Sequence, residues 1–188
     1  IVVHGDLGNC DKKKNCITGT PTISTNGNSQ MVMTSAGSVV DTGFFNKHGP
    51  AVITGNFTSS SAWDYVFPGI TMQQMSAAAD YKTIYYYKYD VASGQFTPDI
   101  SKLPKSIGTA QNPVILIFDT VLIPLNQEQN KCPSFSGNYT IFGIVYFSGN
   151  CTKNNGWGGT TITGSLVTES DLNVLTANTD FVGWTNKT

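Results

Sequence analysis

Residues 141–151 read IFGIVYFSGNC, and starting 21 positions later residues 162–172 read ITGSLVTESDL. Aligned, the two share isoleucine at the first position (Ile141, Ile162), glycine at the third (Gly143, Gly164) and apolar residues at the fifth and sixth. At about 3.3 Å per strand residue, 21 residues extend to about 70 Å, enough for one closed circuit of three short strands joined by turns. Circuits stacked about 4.8 Å apart place like on like. The spacing therefore predicts a β-solenoid, with Ile141 over Ile162, Val145 beside Leu166 inside, and Gly143 beside Gly164 at a corner where a side chain would obstruct the bend.

Two clear units fall short of the three or so that an autonomous stack needs. The tripeptide Ile-Thr-Gly also occurs at Ile17 and Ile53, besides Ile162. The N-terminal third is a string of short β-branched segments ending in Gly, Pro or Asn, which read as strands. These segments are expected to supply further circuits. Residues 1–188 thus read as a single mainly β domain, a partial solenoid with one short helix and a helical insertion at about 63–90. The alternative is a β-sandwich, which also alternates strands and turns.

The insertion stands out in texture. Thr71-Met72-Gln73-Gln74 has the T-x-x-Q capping-box pattern, with Ile70 and Met75 placed for a hydrophobic staple. Met72, Met75 and Ala79 then follow at one-face spacing, which predicts a helix from about Met72 to Asp80. So short a helix needs an apolar support for Met72, Met75, Trp63 and Phe67. Next comes YKTIYYYKYD, residues 81–90. As a strand it puts Ile84, Tyr86 and Lys88 on one face and Tyr85, Tyr87 and Tyr89 on the other. As a functional element, Tyr85, Tyr86 and Tyr87 beside Lys88 would form a platform for stacking sugars or bases. Further on, two apolar bursts, Val114 to Phe118 and Val121 to Leu125, read as the most buried strands.

Composition narrows the function classes. Charged residues make up 12% of the chain, the net charge is −1 and all eleven basic residues are lysine. No clustered basic face for nucleic acid follows from that balance. Lys12, Lys13 and Lys14 form a small basic finger between Cys10 and Cys16. Three charges give weak, salt-sensitive DNA binding at most, since each neutralised phosphate adds about −0.9 to the salt slope. Cys10, Cys16, Cys132 and Cys151 permit three pairings, of which the two local ones, Cys10–Cys16 and Cys132–Cys151, are preferred; buried free thiols are the other reading. Their spacings match no zinc pattern, and disulfides would place the chain outside the cytoplasm. The sequons at Asn56, Asn138, Asn150 and Asn186 bear on secretion only in a eukaryotic setting.

Catalytic signals are weak. His4 and His48 sit beside Gly and Gly-Pro, as turn residues do, and no G-x-S-x-G or comparable element accompanies them. Asp64, Asp80, Asp90, Asp119, Glu128, Glu169, Asp171 and Asp180 are scattered acids from which a glycosidase pair would have to be assembled by folding. The reading is no enzyme, no metal and no cofactor, with a carbohydrate-active solenoid enzyme ranked third.

The order of features is a further guide. A strand-rich start, then WDYVFPGITMQQMSAAAD, NPVILIFDT, YTIFGIVYFSGNC and TTITGSLVTES, resembles the soluble part of PilX-type minor pilins of bacterial type IV pili, from near Val2 to about Asp180. The resemblance implies a subunit acting in pilus assembly near the fibre tip, with other minor pilins and a tip adhesin as partners. It also implies an N-terminal hydrophobic helix that anchors the subunit in the inner membrane before assembly. No window of 18 apolar residues occurs in this chain, so it lacks that helix, and its start at Ile1 rather than methionine suggests a processed or trimmed chain. The rival reading from another class is an adhesion module binding sugar or DNA through the tyrosine run.

Overall fold

In the computed structural model of the chain, residues 1–7, 22–25, 30–40, 52–133, 135, 137–151, 153–154, 159–172, 174–175 and 179–183 are described. Cys10, Lys12, Lys13, Lys14, Cys16, Ile17, His48 and Asn186 lie outside them.

The repeat units become two strands, β9 (Thr140–Phe147) and β11 (Thr161–Thr168), paired in parallel along their whole length. Ile141 faces Ile162, Gly143 faces Gly164, and Val145 faces Leu166. The expected register is therefore the observed one. Both strands bend at their glycines and join two walls. On the N-terminal side of the bend, β11 pairs β13 (Asp180–Gly183), which pairs β2 (Thr22–Thr25), while β9 pairs β7 (Ser106–Ile107). Ile107, Ile141, Ile162 and Phe181 form one inward row on this short wall, each almost wholly buried.

The long wall follows the bend. Its order is β4 (Val52–Phe57), β3 (Gln30–Ser35), β1 (Val2–Val3), β11, β9, β8 (Val114–Asp119), β5 (Ile84–Asp90) and β6 (Gln95–Thr97). All neighbours are parallel except β5 and β6, whose antiparallel pairing ends the stack. A third side is marked by β10 (Lys153–Asn154) and β12 (Val174–Leu175), again 21 positions apart and parallel. The three-strand circuit inferred from the spacing is thus present, and Ile53-Thr54-Gly55 and Ile162-Thr163-Gly164 both belong to the long strands.

The walls alternate as pleated strands must. Row by row, Val3, Val32, Leu116, Phe118, Val145, Phe147 and Leu166 turn into the bore, where Phe118 stacks on Phe147 at 5.2 Å. The opposite row, Val2, Met33, Val167, Tyr146, Ile117 and Tyr86, is registered across six strands and faces outward. An outward apolar row needs a cover, and residues 58–83 supply it. This segment runs from β4 at one end of the stack to β5 at the other, carrying α1 (Ala62–Val66) and α2 (Met72–Ala77). Trp63, Phe67 and Met75 bury against the row, each contributing about 1.5–3 kcal/mol.

The expected helix at 72–80 is present with its capping box, Thr71 Oγ1 accepting from the Gln74 N–H at 3.0 Å and Gln74 Oε1 from the Thr71 N–H at 2.9 Å. It ends at Ala77, and α1 is an addition to the sequence reading. The burst Val121 to Leu125 is not a strand. The hydroxyl of Thr120 donates to the Gly149 carbonyl and its N–H donates to Ser148 Oγ, so the chain turns there. Val121, Leu122 and Leu125 are left exposed and Ile123 alone of the burst is buried.

One circuit is shared by both ends of the described chain. β13 fills its short wall below β11, whereas β1 fills its long wall between β11 and β3. β1 therefore enters the middle of the stack, and the chain then travels to one end, crosses outside through α1 and α2, and winds back from the other end.

A disulfide joins Cys132, just after α3 (Glu128–Lys131), to Cys151 in the bore, with Cα atoms 5.8 Å apart. Closing a loop of this length stabilises the fold by about 3 kcal/mol in the chain-entropy model. A Cys132→Ser/Cys151→Ser variant is expected to lose about that much in urea unfolding, with an unchanged circular dichroism spectrum in native buffer.

Candidate functional site

The strap formed by α1 and α2 is fastened by Glu169, the first residue after β11. One carboxylate oxygen accepts from the Trp63 N–H at 2.7 Å and the Tyr146 hydroxyl at 2.8 Å; the other accepts from the Ala62 N–H at 2.9 Å and lies 3.1 Å from His4 Nδ1. The first backbone donors of α1 thus receive a partner from the stack rather than from α1 itself. Trp63 completes the joint, meeting the Tyr146 ring edge-on at 4.9 Å and donating from Nε1 to the Ile70 carbonyl at 2.6 Å. A second carboxylate, Asp119, accepts from the Tyr86 hydroxyl at 2.9 Å and Ser148 Oγ at 3.0 Å. Burial, and then the nearby carboxylates, raise the phenols of Tyr146 and Tyr86 above their ordinary range.

At the β5 end, a different device closes the sheet. Asp80 Oδ1 accepts from the N–H groups of Ile84, Lys82 and Thr83, which lower its pKa to about 2. The N–H groups of Asp80 and Tyr81 donate to the Ile84 carbonyl, and the Tyr81 hydroxyl donates to the Tyr86 carbonyl at 2.9 Å. The outer edge of β5 is consequently capped along its first half, and by β6 along its second.

The tyrosine run does not form one platform. Tyr86 lies outward under the strap, while Tyr85 and Tyr87 lie on the bore side, Tyr87 stacked on Phe118 at 5.8 Å. Lys88 is exposed. The alternation expected of the strand is the one found, and it divides the proposed platform between two faces. Burial first, then the charges of Tyr81, Tyr85 and Asp99, raise Tyr87 to about 12. In the unfolded chain a tyrosine ionises near 10. The folded state, with its raised phenols, is fully favoured below about pH 10 and loses that stability as pH rises from about 10 towards 12. Phenolate absorbance of Tyr86, Tyr87 and Tyr146 should accordingly appear together with loss of circular dichroism, and tyrosine-to-phenylalanine variants identify which steps belong to them.

Other predicted residues fall into turns. Asp171 Oδ1 accepts the Asp6 N–H at 2.7 Å, Asp6 Oδ1 accepts the Val39 N–H at 2.8 Å, and Asn150 Nδ2 donates to the Val121 carbonyl at 2.9 Å. These residues link successive circuits at one corner. Among the described residues no group of three or more His, Cys, Asp and Glu side chains is placed to hold a metal, and no helix is long and apolar enough to cross a membrane. The Cys132–Cys151 disulfide is compatible with a non-cytoplasmic location.

Comparison with protein-family models, curated proteins and solved structures found no match.

Glu169 lies within the repeated stretch 162–172 and among the scattered acids, but nothing local marks it as the fastening, because its partners on the strap are more than a hundred residues away. For α1 a signal does exist. Ser61-Ala62-Trp63-Asp64 fits the S-x-x-D start pattern, and Ser61 Oγ accepts from the Asp64 N–H at 3.0 Å.

Proposed function

We propose that this chain is a minor-pilin-type subunit of a bacterial type IV pilus, acting in fibre assembly near the tip by contact with other subunits. The supporting observation is that stretches carrying the resemblance, Trp63 to Asp80 and the paired strands with Gly143 and Gly164, form one structural unit. Trp63 to Asp80 is the strap, Gly143 and Gly164 are the corner of the stack, and Glu169 and Tyr146 bind the one to the other. A wall of registered strands under a fastened helical strap provides a rigid body for shape-specific contact. Tyr65, stacked on Phe57 at 5.0 Å, and Ile70 remain exposed on the strap and offer the apolar centre of such a contact.

The test is made in the organism that encodes the chain. Deleting the gene is expected to reduce surface fibres, with the protein detectable at low abundance in sheared fibres from the parent strain. Normal fibres in the deletion strain, together with absence of the protein from sheared material, would reject the assignment.

A further inference from the structure

We propose that the β5 end of the stack carries a binding cleft for a neutral saccharide, built around Tyr81. The cleft has a volume of about 580 Å³, and its walls include Tyr81, Lys88, Asp90, Val91, Thr97 and Leu122. That volume lies within the roughly 300–1,000 Å³ of small-ligand sites. Tyr81, Val91 and Leu122 are 40%, 59% and 49% exposed, so three large apolar side chains share one concavity and remain open to water. Singly exposed apolar residues are ordinary, whereas grouped ones mark binding surfaces.

Tyr81 is fixed before any ligand arrives. Its hydroxyl is held by the Tyr86 carbonyl, its ring lies edge-on to Tyr85 at 6.1 Å and Tyr87 at 5.9 Å, and Asp80 secures the turn that keeps its backbone at φ 55°. A side chain already ordered loses little further freedom on binding.

The polar groups define the ligand class. Lys88 follows Tyr86 in the outward row, and it comes where the strap no longer covers that row. It brings donors; Asp90, two residues on, brings acceptors, and the Thr97 and Ser76 hydroxyls serve either role. Cation and carboxylate together leave the cleft without net charge, so an anion would meet Asp90 and a cation would meet Lys88. A pyranose matches all of this: hydroxyls that donate and accept, an apolar C–H face for the ring and aliphatic walls, and no charge. An apolar peptide is the competing occupant of such walls. Strand addition, its usual route to affinity, is closed along β5, whose edge is capped by Asp80, Tyr81 and β6, and β6 beyond it offers only three residues before Pro98.

The full chain is to be applied to an array of neutral gluco-, manno- and N-acetylated chito-oligosaccharides, and the best probe then measured by titration calorimetry. Tyr81→Ala should weaken binding about tenfold or more, Tyr81→Phe should retain most of it, and Lys88→Ala should weaken it several-fold. Lys88 is exposed, so its variant keeps the parent melting temperature and separates binding from folding. Failure to bind any array member overturns the proposal, as does a best probe whose affinity is unchanged in both Tyr81→Ala and Lys88→Ala. Capture of apolar peptides in place of sugars at the same residues also overturns it. This outcome is independent of the fibre test above.

Discussion

Gly164→Ala is expected to prevent folding, or to cost more than about 4 kcal/mol if any folded protein is recovered. A Cβ at residue 164 would lie 1.9 Å from the Gly143 carbonyl oxygen, and one at residue 143 would lie 1.9 Å from the Val114 carbonyl oxygen. Both residues have φ values that disfavour side chains, +135° and +142°. Each obstruction is backbone of the next strand, so relief would require separating strands that share a ladder. Gly69→Ala is the control, because its φ is +78° but nothing lies within 4 Å of the added carbon. It should cost about 1–2 kcal/mol, the ordinary penalty of a left-handed conformation. Urea unfolding of the two variants checks the contrast, and equal costs would mean that the corner is not tightly stacked.

Glu169→Ala is expected to cost about 3 kcal/mol or more, since it leaves the Ala62 and Trp63 N–H groups and the Tyr146 hydroxyl without their acceptor. Glu169→Gln, which keeps one carbonyl oxygen, should cost less. The location of the loss is as informative as its size. Hydrogen exchange should quicken first in residues 62–77, with Trp63 fluorescence shifting towards that of a solvated indole, while β9 and β11 stay protected. Uniform acceleration over strap and stack, or a cost below about 1 kcal/mol, would show that the carboxylate is not the fastening.

The sequence disclosed what repeats locally and concealed what depends on distance. Ile141 over Ile162 and the Gly143–Gly164 corner were legible because a parallel circuit writes its period directly into the chain. The capping box at Thr71 was legible for a related reason: it is a local arrangement of side chain and backbone. Val121 to Leu125 misled because apolar content does not reveal where a corner falls, and the deciding contacts are between Thr120 and residues 148–149. Glu169 and the insertion of β1 between β11 and β3 left no trace in periodicity, since each joins residues far apart in sequence. The tyrosine run gave its alternation correctly, yet among the tyrosines lining the cleft at the β5 end the exposed one is Tyr81, which begins the run and lies outside the strand, whereas Tyr86 and Tyr89 are buried.

In-register stacking of the circuits is tested most directly by interstrand nuclear Overhauser effects in isotopically labelled protein. Parallel-ladder contacts should connect Phe142 with Thr163 and Val145 with Leu166, and a further set should connect Val2 with Val167. Contacts running in the antiparallel sense between residues 140–147 and 161–168, or none between them, would contradict the solenoid.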